Sequence, residues 1–260
     1  MRAGAVISIS VVSVLATLSM GGCVIHTDAF KAKVSRNENL TAPLTDVTAL
    51  DVTTNIGAIR MEAAQVPEVR IAAEIKVKDR TEEQAREWAE QVRITAEPSG
   101  QTLRIKAIRP AGLRENNLSV DFTITAPAEL ALECTTNVGD IRTTNFTKRV
   151  KASANVGAVA CTGLRGDIDL HTNVGDVRAD YAPDAPAAVN ATLATDVGAI
   201  EFTGPKEISA QVTAGTNVGD ISTDRPITVT GSIKRSLRGS LGKGEGQIDL
   251  HTNVGSLRIR

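Results

Sequence analysis

Asn-Val-Gly, or a close variant of it, recurs seven times in this chain, with first residues Asn55, Asn137, Asn155, Asn173, Asp196, Asn217 and Asn253. From Asn137 to Asn217 the steps are 18, 18, 23 and 21 residues, and the last step is 36, twice 18. Self-similarity at periods of this size marks a repeat architecture. The long last step predicts a degenerate copy within "GSIKRSLRGSLG", and the first copy stands apart from the array.

The flanks keep one pattern. Five residues before the triplet stand Leu50, Leu132, Val150, Ile168, Ala191, Val212 and Ile248; three before stand Val52, Cys134, Ala152, Leu170, Leu193, Ala214 and Leu250. Six of the seven copies carry Thr just before it, and four after it stands Ile, Val or Leu. Alternation on both sides predicts two strands, each with one buried face. The phase slips by one residue across the triplet, as at a corner or bulge. Asn tolerates left-handed backbone and Gly adopts it without penalty. The pairs Asn55 and Gly57, Asn137 and Gly139, Asn155 and Gly157, Asn173 and Gly175, Asp196 and Gly198, Asn217 and Gly219, and Asn253 and Gly255 are therefore candidate structural turns. The central Val or Ile reads as an inward-facing plug.

These features predict a mainly β chain. A β-solenoid of about six stacked coils, each of ~18–23 residues, would span residues 131–260. A β-rich module with one short helix at 81–92 would precede it over residues 46–130. In "TEEQAREWAEQV", Thr81 and Gln84 have capping-box spacing. Ala85, Trp88, Ala89 and Val92 share a face, so Trp88 reads as core. Residues 23–45 are polar and read as a tether.

Residues 1–22 read as a signal peptide: Arg2, an apolar run from Ala3 to Leu18, then small residues. The run is short for a membrane span, which needs ~20 apolar residues. "MGGC" at 20–23 resembles the lipobox of bacterial lipoproteins, with Met20 where leucine is usual, which makes Cys23 the candidate lipidation site. Val24, in place of Asp, resembles the sorting signal for the outer membrane. Removing residues 1–22 takes away one arginine and leaves a formal charge of −2. No basic excess is available for phosphates, so nucleic acid is not an expected partner. Six aromatic residues are poor material for stacking platforms.

The repeats "TNVGDI" and the segment "GKGEGQIDLHTNVGSLRI" resemble a bacterial putative-adhesin domain of unknown function, a family of exported β-strand-repeat proteins. The matching residues are Gly139-Asp140-Ile141, Gly175-Asp176-Val177, Gly219-Asp220-Ile221 and Gly242 to Ile259, within a likeness covering about residues 46–260. The resemblance implies a solenoid at the cell envelope, in some members linked to envelope stress. It transfers no catalytic residues.

Three chemistries compete with a purely architectural role. "IDLHTNVG" occurs identically at 168–175 and 248–255. His171 and His251 face outward in the column pattern, about four coils or roughly 19 Å apart, too far to share a metal. Asp140, Asp176 and Asp220 alternate with Ala158 and Ala199. That puts neighbouring carboxylates two coils, ~9.6 Å, apart, near the upper end for an inverting glycosidase pair. They recur with the repeat, whereas a catalytic site is a single break in it, and Arg142 and Arg178 lie two residues on. "GKGEG" lacks the ending of a phosphate loop. Cys134 and Cys161 face inward in adjacent coils, and both a disulfide and two buried thiols stay open.

The expectation is a non-catalytic, lipid-anchored envelope protein. It needs no cofactor or metal, and its adhesin-like or scaffold surface binds an envelope protein or glycan. The alternative is a sensor in an envelope-stress pathway; a polysaccharide-active β-helix enzyme is a distant third.

Overall fold

A computed structural model describes residues 32–229 and 235–260. Cys23 and residues 1–22 lie outside the described residues. Within them the chain forms two facing sheets, of 10 and 11 strands, and no helix long and apolar enough to cross a membrane.

The chain enters through β1 (Ala32–Pro43), then forms the first corner with β2 (Ala49–Ile56) and β3 (Ile59–Ala63). An excursion follows: β4 (Glu68–Asp79), α1 (Glu82–Gln91), β5 (Arg93–Ser99), β6 (Thr102–Ile108) and β7 (Leu118–Ala126). Four further corners succeed one another. They join β8 (Ala131–Val138) to β9 (Ile141–Thr144), β10 (Val150–Val156) to β11 (Val159–Leu164), β12 (Ile168–Val174) to β13 (Val177–Tyr181), and β14 (Asn190–Val197) to β15 (Ile200–Thr203). The sixth pair is β16 (Ala210–Val218) and β17 (Ile221–Thr223). After β18 (Thr228–Val229) and β19 (Ser236–Leu241), the chain ends with β20 (Gly246–Val254) and β21 (Leu257–Ile259).

Each coil puts its first strand in one sheet and its second in the other. Stacked coils pair in parallel, with Val150 opposite both Leu132 and Ile168, for example. The columns found in the sequence become the core. Leu50, Leu132, Val150, Ile168, Ala191, Val212 and Ile248 are all buried, as are Ile59, Ile141, Val159, Val177, Ile200, Ile221 and Leu257. No single coil could bury such a face, so stacking is the source of stability.

Four expectations are corrected. The first copy is not apart: β2 pairs directly with β8, and β3 with β9, so the segment expected as a separate module supplies the first of seven coils. The excursion from Ala64 to Leu130 caps that end instead. There β6 and β5 extend one sheet, while β7, β4 and β1 extend the other. Residues 32–43, expected as tether, are the edge strand β1, antiparallel to β4. An edge strand needs only one half-buried face, which is why its polar sequence reads as unstructured. Arg36 on that face donates to the Ala89 and Val92 carbonyls at 3.0 and 2.7 Å, tying β1 to the end of α1. Finally, the described part of "GSIKRSLRGSLG", residues 235–242, forms no coil: β19 runs antiparallel to β16.

The coils do not stack in chain order. The last coil, β20 and β21, lies between β14–β15 and β16–β17. The two copies of "IDLHTNVG" therefore flank β14 on its two sides. His171 and His251 are two strand spacings apart, roughly 9.6 Å, rather than four.

Candidate functional site

The corners are the one feature repeated in every coil, and their chemistry is in columns. Thr172 donates its hydroxyl to the Gly157 carbonyl at 2.9 Å, and Thr195 to that of Gly175 at 2.9 Å. Thr136, Thr252 and Thr216 do the same to Gly57, Gly198 and Gly255. The buried threonines thus satisfy carbonyls turned inward at the neighbouring corner. In the third coil Ala154 holds the equivalent position.

The asparagines do not supply the turn. Among the described residues only Asp46 and Asn145 have positive φ without being glycine. Asn137, Asn155 and Asn173 stand next to last in their strands and face outward, joined in an amide ladder. Asn155 donates to Asn137 at 3.0 Å and Asn173 to Asn155 at 2.7 Å. Asn253 donates to Asp196 at 2.8 Å, and Asn217 to Asn253 at 3.0 Å. The glycine alone carries the unusual backbone at each corner.

The central valine is not a plug. Val138, Val156, Val174, Val197, Val254 and Val218 are 41–57 % exposed, with Ile108 the most open large apolar side chains among the described residues. The strand register sets them side by side in that order, with Ile56 at one end. The bend falls after the valine, so Asn and Val both point outward before the phase resets. Seven apolar residues at ~4.8 Å per strand make a ridge about 29 Å long. Isolated surface valines are ordinary; a contiguous exposed row is the mark of an interaction surface. The signal was present in the sequence as an apolar residue directly after every outward Asn or Asp.

Two of the three candidate carboxylates, Asp140 and Asp176, hold the neighbouring coil. Asp140 accepts from the Ala158 amide of the next coil at 3.0 Å, and Asp176 from that of Ala199 at 2.8 Å. Asp121 accepts from Ala58 at 2.7 Å. This fits the alternation of Asp with Ala at Asp140/Ala158 and Asp176/Ala199: the carboxylate reaches across to the N–H of the next coil, and two at one spacing would repel. Asp176 and Asp220 are three spacings apart, because β15 and β21 lie between their strands. Arg142 pairs with Asp140 at 2.9 Å, but Arg178 pairs with Asp180 and Glu201, at 2.7 and 3.0 Å, and not with Asp176.

Cys134 and Cys161 are buried and free. Burial raises both thiols, Cys161 to about 12, so neither presents a thiolate at neutral pH. The "GKGEG" turn is closed on the protein itself, since the Ser209 hydroxyl accepts from the Lys243 and Glu245 amides at 3.1 and 3.3 Å. No three metal-ligating side chains cluster among the described residues. His171 and His251 are exposed.

A crystal structure from Clostridium sporogenes, described as a putative cell adhesion protein, matches with a TM-score of 0.56 at 15% identity. The match covers 87% of this chain and 99% of that one. A second, described as a putative adhesin from Bacteroides fragilis, has a TM-score of 0.43 at 13% identity, covering 88% of this chain and 97% of that one. At such identity the first likeness speaks to fold alone. No match is found among curated proteins. The sequence model of the family described as Toastrack DUF4097 matches residues 30–260. The chain belongs to this Toastrack family.

Proposed function

We propose that this protein is a lipid-anchored, non-catalytic component of the bacterial cell envelope, and that its valine ridge docks another envelope component in the manner of an adhesin. The exposed ridge is the observation that carries this reading. The description of the Clostridium sporogenes protein as a putative cell adhesion protein agrees with it. So does the use of Asp140 and Asp176 to hold the backbone of the next coil.

Cys23 is the proposed anchor, in the outer membrane. Eight residues separate it from β1. An extended chain of that length holds the domain within about 30 Å of the lipid. Changing Cys23→Ala is expected to move the protein from the membrane fraction to the soluble fraction. Membrane retention by that variant would exclude the lipid anchor.

The ridge is tested by the triple change Val156→Thr, Val174→Thr and Val197→Thr, which keeps β-branching and shape. Each loses apolar contact of the order of one methylene, ~0.8 kcal/mol, so in the unlipidated mature domain (residues 24–260) retention on isolated envelopes is expected to fall roughly tenfold or more with the melting temperature little changed. Unaltered retention would exclude the ridge as the docking surface.

A further inference from the structure

Beside the ridge, on the outer face of the eleven-stranded sheet, a shallow groove of about 550 Å³ crosses β2, β8, β10 and β12. One wall includes Thr135, Ser153 and His171, which are register neighbours; the other includes Asn137, Asn155 and Asn173. Ala154 and the buried Thr136 lie beneath it. None of the residues lining it is an acid, a lysine or an arginine.

The walls are rich in unspent hydrogen-bonding capacity. Each ladder asparagine spends one N–H or one oxygen lone pair on each ladder neighbour. An amide has two of each, so the remainder faces solvent. The Thr135 and Ser153 hydroxyls add to the row, and the pattern repeats once per strand, at ~4.8 Å. His171 hydrogen-bonds Asn173 at 2.9 Å and closes one end of the groove. The next strand has Ala194 in register, with no such side chain.

We infer that this groove binds a neutral, extended, β-linked glycan strand lying across the coils. This inference rests on the surface-binding reading above and names a ligand for the same corner. Three observations select the ligand class. The lining is uncharged, which offers nothing to a phosphate-bearing or acidic polymer. The strands beneath it are hydrogen-bonded on both sides, so a peptide would find no sheet edge to extend. The groove is open and long, which suits many weak repeated contacts better than enclosure of a small ligand. A β-linked sugar chain repeats at close to the coil spacing. It presents hydroxyls to the amide wall and to the Thr135 and Ser153 hydroxyls opposite.

The test uses the full chain in detergent micelles, titrated calorimetrically with the β-1,4-linked hexamer and dimer of N-acetylglucosamine. The hexamer is expected to bind about tenfold or more tightly than the dimer, because it spans several coils. Ser153→Leu, which fills the groove, and Asn155→Ala, which breaks the ladder, are each expected to abolish that advantage while thermal melts confirm folding. Lys33→Ala, on β1 in the opposite sheet and outside both ridge and groove, is expected to leave it intact. No binding of the hexamer at millimolar concentration, equal binding of hexamer and dimer, full affinity in Ser153→Leu, or a preference for a polyanionic glycan or a peptide would each overturn the inference. Failure here, with envelope retention still dependent on the valines, rejects the glycan and spares the ridge. Retention independent of the valines rejects the surface reading itself.

Discussion

Gly175→Ala is expected to destabilise the protein by about 3–5 kcal/mol, a large part of the stability of an ordinary domain. Two effects add. The residue holds φ of 149°, where a side chain is strained by ~1–3 kcal/mol. A Cβ at this position also falls on the carbonyl of Gly157 in the neighbouring coil. That carbonyl is held by the Thr172 hydroxyl and by the stacking of the corner, so it has no direction in which to yield. The same collision recurs at Gly198 against Gly175, which makes the glycines a continuous spine through the corners. Two controls separate the causes. Gly100 has φ of 63° with open space around it, so Gly100→Ala is expected to cost only the strain, about 1–2 kcal/mol. Gly215 lies in a strand with ordinary backbone, and Gly215→Ala is expected to be neutral or stabilising by up to ~1 kcal/mol. Urea melts of the three variants give the ranking. A Gly175→Ala protein as stable as Gly100→Ala would mean that the corners move apart readily.

The column pattern made the core legible, because alternation is enforced wherever one face is buried. It failed at the corner by one residue. Val174 was read as buried since apolar residues usually are, yet the bend falls at Gly175 and leaves Asn173 and Val174 both outside. The groove was invisible for another reason: Thr135, Ser153 and His171 share no motif and become a wall only through register. Coil order was equally hidden. All seven copies carry the same column chemistry, so nothing in "IDLHTNVG" says whether it belongs beside β14 or at the end of the stack. The described strand before the last coil, β19, runs antiparallel to β16, and no column of the repeat marks that reversal.

Deleting residues 246–260 is the second large effect, and it follows from that hidden order. In a stack built in chain order, removing the last coil strips one end. Here it removes an internal coil, so β14 loses its pairing on one side and β16 loses its parallel partner. Ile248, Leu250, Leu257 and Ile259 are buried, and at ~2 kcal/mol each their loss approaches the whole stability of a domain. The coils from β2 to β13 keep all their neighbours. The truncated chain is therefore expected to lose protease protection from Ala210 onward while residues up to Tyr181 remain protected. The exposed edge of β14 is expected to promote association. Adding the synthetic peptide Gly246–Arg260 is expected to restore protection, because the slot between β14 and β16 is complementary to it in register. Full protection without the peptide would show instead that β16 closes directly onto β14. Their matching columns would then be interchangeable, and the order of coils would be imposed by the last segment alone.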